Sequence, residues 1–216
     1  MNRKNFRTSK SPSAGRWMWA AVFFAVIVSG CATTRPSNFY TLQPIRNPAD
    51  AGAQNQRQGL LRIVVGPIRF PDYLDRPQIV TRMGPNELKI DEFNRWAGDL
   101  RENFTRVLAE NLSMLLGSDR VSAYPWQGSE KIDYQVTANV LQFDGKMGAD
   151  AVLKVQWTIY GKDDRKILIS RSASLRSKAE GAGYSAVVVA ENQLLTDLSR
   201  EIASTFRTLA KADRPD

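Results

Sequence analysis

The chain has a single cysteine, Cys31, among 216 residues, and this limits what its fold can rest on. No disulfide can close within the chain, so a domain built from it must be held by its apolar core. The position of the cysteine says more than the count. Residues 1–16 carry Arg3, Lys4, Arg7, Lys10 and Arg16 and no acid, and Trp17–Val28 is an unbroken apolar run of twelve residues. A basic stretch followed by a short apolar run is the layout of a secretory signal. A helix that crosses a bilayer needs about 20 apolar residues, and this run is too short.

Directly before the cysteine stand two small residues, Ser29 and Gly30, which give a peptidase room at the backbone. Val28-Ser29-Gly30-Cys31 resembles a bacterial lipobox, which implies a diacylglycerol on the Cys31 thiol and cleavage in front of it. The expected organisation is a cleaved signal peptide over 1–30, a lipidated cysteine and short tether over 31–37, and one periplasmic domain over 38–216. An uncleaved anchor and an ordinary signal cut elsewhere are the competing readings. Ala32 stands where an Asp would favour the inner membrane, so the sequence leans towards the outer one. A six-residue tether, Ala32 to Ser37, reaches at most about 20 Å and would hold the domain against its membrane.

Cleavage before Cys31 would leave 186 residues, within the range of one domain with a sizeable core. The formal charge of +8 falls to +3, because five of the 30 Lys+Arg leave with the signal and all 22 acids stay. Nucleic acid, which calls for a strongly basic domain, is therefore not an expected partner. The chain has no histidine. That removes Ser-His-Asp and Cys-His catalysis and His- or Cys-ligated zinc, and no cofactor is expected beyond the covalent lipid on Cys31.

Phe39–Leu42 reads as a first strand and Asn47–Gly59, rich in small and polar residues, as a loop. Leu60–Ile68 is β-branched and apolar, a buried strand that its Gly-Pro should end. Gln78–Met83 and Glu87–Ile90 flank Gly84-Pro85-Asn86 as a hairpin. Asp99 suits the N-cap of a helix running to about Leu116. Leu100, Phe104, Val107, Leu108, Leu112 and Leu115 form its apolar face, and Gly117 suits its stop. Arg120–Tyr124 is a short strand closed by Pro125-Trp126. Three alternating strands follow as a meander. Tyr134, Val136, Ala138 and Val140 share one face of the first, and Ala151, Leu153, Val155, Trp157 and Ile159 one face of the second. The third runs from Lys166 to about Leu175, with Arg171 breaking its apolar face. A last helix spans about Tyr184–Lys211, with Glu191 as the polar intruder in its stripe. The predicted fold is α/β (α+β): a single domain with a twisted mixed sheet, hairpin and meander, packed by two main amphipathic helices.

The richest stretch for function is Pro71–Arg82. Two prolines, Pro71 and Pro77, bracket Asp72, Tyr73, Leu74, Asp75 and Arg76, and forbid a regular strand or helix interior. A stiff loop of aromatic, aliphatic and Arg residues suits partner recognition, since little entropy is lost on binding. The plainer alternative is that Asp72 or Asp75 pairs with Arg76 and the loop caps the core. Asp91-Glu92 with Asp72 and Asp75 lacks the spacing of a cation loop. Ser170–Lys178 reads as alternating serines on an edge strand rather than a Ser-Lys pair.

Several stretches then occur in one order: Phe39-Tyr40-Thr41-Leu42, Pro71–Arg82, Arg95-Trp96, Val107–Leu112, Tyr124-Pro125-Trp126 and a terminal helix beginning at Tyr184. Together they resemble the PqiC family, the auxiliary lipoproteins of ABC-type intermembrane transport systems. The resemblance implies a three-layer-like α/β domain that is not an enzyme. It implies an MCE-domain partner and, through it, inner-membrane permease and ATPase components. It also implies gathering as a homo-oligomeric ring at the outer membrane, with lipids or other hydrophobic molecules as cargo. Pro71, Asp72, Tyr73, Leu74, Asp75, Arg76, Pro77, Arg82 and Trp96 are the expected partner-binding residues, and Cys31 the lipidation site. A structural or assembly-factor envelope lipoprotein is the alternative, and a carboxylate hydrolase a more distant one.

Overall fold

A twelve-residue strand, β6 (Tyr134–Gly145), is the spine of a mixed eight-stranded sheet. The computed structural model describes residues 35–46, 61–125, 131–161 and 166–212. Ser37–Asp216 forms one compact unit, and the expected signal peptide and Cys31 lie outside the described residues. Along one edge β6 pairs antiparallel with β7 (Asp150–Gly161), which pairs with β8 (Ile167–Lys178), the expected meander. The other edge of β6 is divided between two partners. Its first half takes β2 (Ile63–Arg69) in parallel, with β5 (Val121–Ala123) beyond. Its last residue, Gly145, meets Thr81 of β3 (Gln78–Gly84), and β3 carries β4 (Glu87–Trp96) and then β1 (Asn38–Tyr40) at the free edge.

Alternation decides which face is covered. Ala151, Leu153, Val155, Trp157 and Ile159 of β7 are buried, while Lys154 and Gln156 between them face water. Both helices, α1 (Leu100–Leu116) and α2 (Tyr184–Ala212), lie on the buried face and touch each other. Phe70, Phe104 and Phe143 meet edge to face there, with ring centroids 5.3–6.3 Å apart. The opposite face of β6–β8 presents Gln135, Thr137, Asn139, Gln156 and Thr158 in a shallow groove. The domain is thus an α+β fold of two layers, not the three-layer-like one that the family resemblance implies.

Local signals worked as chemistry dictates at α1. The Asp99 carboxylate accepts from the Glu102 N–H at 2.9 Å, and Gly117 closes the helix at φ 62°. Both are the groups needed to satisfy the helix ends.

Three strands depart from the expected pattern. Gly66-Pro67 does not end β2. The strand continues to Arg69 across a register shift, because Gly66 adopts φ 115° and the Gln135 side chain donates to its carbonyl at 2.8 Å. A Cβ at Gly66 would stand 2.7 Å from the Tyr124 Cβ, so no other residue fits. β4 runs on to Trp96, absorbing a wide register irregularity in which the Asp91 carboxylate accepts from the N–H groups of Phe93 and Asn94. β8 extends past Leu175 to Lys178. Arg171, which interrupts the apolar face of β8, sits over the Trp157 ring at 5.9 Å and donates to Thr205, so the break is a packed cation. The expected 47–59 loop and Trp126 lie outside the described residues.

Candidate functional site

The proline-bracketed loop is built on one buried carboxylate. β6 alternates inward at Val136, Ala138 and Val140, and then a register shift between Val140 and Gln142 inserts Leu141. A one-residue insertion reverses which residues face in. Phe143 therefore takes the next core position, and Gln142 and Asp144 turn to the other face. Asp144 is only 1% exposed there. Arg82 of β3 grips it with two donors, Nε to Oδ1 at 2.9 Å and Nη2 to Oδ2 at 2.8 Å. The Tyr73 hydroxyl donates to Oδ2 at 2.8 Å and the Gln142 amide to Oδ1 at 2.9 Å. Arg82 Nη1 also reaches the Pro85 carbonyl in the hairpin turn at 3.0 Å.

Burial alone would raise the Asp144 pKa, but the donors from Arg82, Gln142 and Tyr73 outweigh it and hold the carboxyl below its ordinary range. The Tyr73 phenol is pushed well up, first by burial and then by its bond to Asp144. On the helix side of the sheet, Glu191 is fully buried and its Oε2 has no partner. Burial, with the Asp144 charge added, raises its pKa well above the carboxylate range.

From this base the loop residues divide. Asp72–Leu74 forms a single 3-10 turn behind Pro71, and Leu74 drops into the core. Asp72, Asp75 and Pro77 are exposed, Arg76 is half-buried, and its Nε has no hydrogen-bond partner. The alternative reading paired Asp72 or Asp75 with Arg76; instead Asp75 pairs with Arg101 of α1 at 3.1 Å, because the turn aims it at the helix N-terminus. Trp96 is 5% exposed, and its N–H donates to the Pro77 carbonyl at 2.7 Å. That bond is made by the backbone, and the ring itself is buried in the core, so it offers little surface to a partner. Among the described residues no group of three His, Cys, Asp or Glu comes together to hold a metal ion, and no helix is long and apolar enough to cross a membrane.

A second feature was not foreseen. β1 pairs in parallel with Asn94–Trp96, and the chain then crosses both helices without making further strand. Its backbone N–H groups are taken by three asparagine side chains. Leu42 donates to Asn103 at 2.7 Å, Gln43 to Asn192 at 2.7 Å and Ile45 to Asn111 at 2.9 Å. Asn103 also donates to the Leu42 carbonyl, and Leu42 itself is fully buried. The N-terminal segment is thus strapped across α1 and α2. The sequence signal was present as Asn103 and Asn111 eight residues apart on α1, with Asn111 on its apolar side.

The region Tyr40–Ala203 matches the family model described as ABC-type transport auxiliary lipoprotein component. The chain belongs to this family. The resemblance read from the Pro71–Arg82 and neighbouring stretches is borne out. No curated protein matches the chain. Among solved structures, an uncharacterized protein superposes with a TM-score of 0.64 at 23% identity, covering 80% of this chain and 99% of its own. A Xanthomonas campestris protein superposes with a TM-score of 0.65 at 17% identity, covering 82% of this chain and 98% of its own. At such identities the likeness establishes the fold alone. The family is one of auxiliary transport components and not of enzymes.

Proposed function

We propose that this family member is an outer-membrane-anchored periplasmic lipoprotein subunit of an MCE-type intermembrane lipid transport system. Cys31 carries the lipid anchor. The Pro71–Pro77 loop with Arg82 behind it is the surface that docks at the outer-membrane end of an MCE-protein tube. Inner-membrane permease and ATPase components are reached through that protein. Copies of the chain gather as a ring, and the subunit itself performs no catalysis.

The observation that carries this reading is the locked base of the loop. Tyr73 and Arg82 converge on the buried Asp144, so Asp72, Asp75, Arg76 and Pro77 are held out on a stiff support. A preorganised loop loses little entropy when a partner covers it. The strap agrees, since it leaves only a short tether between Cys31 and the fixed chain.

Affinity purification of the full-length lipidated protein from its own envelope in mild detergent, followed by mass spectrometry, tests the reading. Recovery of an MCE-domain protein with a permease or ATPase is the expected result. Recovery of only outer-membrane or peptidoglycan-associated proteins would overturn it in favour of a structural role. Arg76→Glu, which reverses the charge of the half-buried Arg76 in the loop, is expected to abolish that recovery while the fold is kept.

A further inference from the structure

Among the described residues β1 is both an edge of the sheet and the first element after the tether. Tyr40 turns inward and packs against the core. Alternation turns its neighbour Phe39 the other way, opposite Arg95 in register, and leaves it 65% exposed. An aromatic ring bare to water on an edge strand invites association, and proteins normally blunt such edges. The arm that carries it repeats the feature. Met83, Ile90 and Phe93 of β3 and β4 are also exposed, so this arm holds four of the nine exposed large apolar side chains among the described residues.

The length of chain between Cys31 and Phe39 limits how far Phe39 can lie from a lipid on Cys31. The description begins at Arg35, four residues after Cys31, a reach of at most about 14 Å. Phe39 stands eight positions after Cys31, a reach of at most about 28 Å. Beyond Phe39 the chain cannot slip, because the strap holds Leu42, Gln43 and Ile45 on the helices. A lipid on Cys31 would therefore keep Phe39 within about 28 Å of the anchor. Arg35 along the chain and Arg95 across the ladder are both cationic and suit lipid phosphates.

We infer that Phe39 seats in the interfacial layer of the bilayer that holds the Cys31 lipid, so that the β1 edge, and not the tether alone, sets the domain on its membrane. Aromatic rings favour that layer, and an acyl anchor is strengthened by a second contact. The inference rests on the lipidated reading of Cys31.

The test uses the fact that Cys31 is the only cysteine in the chain. With Cys31 lipidated, a Phe39→Cys variant has one free thiol for an environment-sensitive fluorophore. Val189→Cys, on a 67%-exposed site of α2, supplies the control. Both full-length lipidated proteins are placed in phosphatidylethanolamine/phosphatidylglycerol vesicles containing phospholipid with a nitroxide near the headgroup. The label at position 39 is expected to be quenched several-fold more strongly than the label at 189. Equal quenching at the two sites overturns the inference. If it occurs while the protein floats with the vesicles and mass spectrometry finds the lipid on Cys31, the anchor stands and Phe39 faces water or protein. A chain that labels at Cys31 as well and stays off the vesicles overturns the anchor reading, and the inference with it.

Discussion

Two carboxyl groups, on opposite faces of the sheet, follow opposite rules at the residue scale. Asp144 is ionised and saturated with donors, whereas Glu191 is buried without a partner for Oε2. Asp144→Asn keeps the shape and removes the charge that Arg82 faces. Breaking a buried pair typically costs about 3–5 kcal/mol, and the part-exposed Arg82 side chain recovers some hydration, so a loss of about 2 kcal/mol is expected in urea unfolding. Because the folded pKa of Asp144 is lowered, its contribution is present above the unfolded value of about 3.9 and is lost as pH falls towards the folded value. Glu191 has the reverse sign. Its folded pKa is raised, so stability is full below the unfolded value of about 4.3 and declines as pH rises towards the folded one. Glu191→Met is expected to remove that decline and to raise the unfolding midpoint at pH 8 more than at pH 5. Equal midpoint shifts at the two pH values would show that Glu191 does not titrate this way.

The strap and the bulge show at the element scale what periodicity can and cannot carry. Helix α1 was legible from Asp99 to Gly117 because capping and the three- and four-residue apolar spacing are local. Strands β7 and β8 were legible because alternation is local too. Leu141 was not, since an inserted residue reads as one more member of an apolar run, and only pairing with β7 reveals that it shifts the phase. The same shift hid Asp144 as the base of the loop, although Tyr73 and Arg82 were both singled out from the loop itself. The strap was hidden by distance: its donors and acceptors stand 61, 66 and 149 residues apart in the chain. Trp96, expected at the partner surface beside the Pro71–Arg82 loop, lies inside because β4 extends to it. Asn111→Ala leaves the Ile45 N–H unpaired and frees Ser199 from its amide partner. Loss of one such buried bond costs about 1–3 kcal/mol. Hydrogen exchange is expected to speed up at Gln43 and Ile45 while the amides of β7 keep their protection. Uniform loss of protection would mean that the strap is an integral part of the core.

At the scale of the whole molecule the sheet is two unequal parts joined at a narrow seam. β6, β7 and β8 share long ladders, whereas the arm of β3, β4 and β1 meets β6 at the single register pair Thr81–Gly145. The Arg82–Asp144 pair sits one residue from that contact on both strands and acts as the second stitch. A Cβ at Gly145 would stand 2.8 Å from a Val187 side-chain carbon of α2, so the helix layer packs tightly against the seam. The arm bears β1, which receives the tether, and it continues directly from the Pro71–Pro77 loop. In the proposed assembly both the membrane attachment and the partner contact thus load the same arm, and the stitch decides whether that load reaches the spine. Arg82→Gln removes the ion pair but leaves Tyr73 and Gln142 on Asp144. The expected result in hydrogen-exchange mass spectrometry is faster exchange in peptides covering β3 and β4, with β6–β8 peptides unchanged. Such a pattern would make the arm a separate cooperative unit. If β6–β8 lose protection in step with the arm, the seam is not a hinge and the domain responds to load as one body.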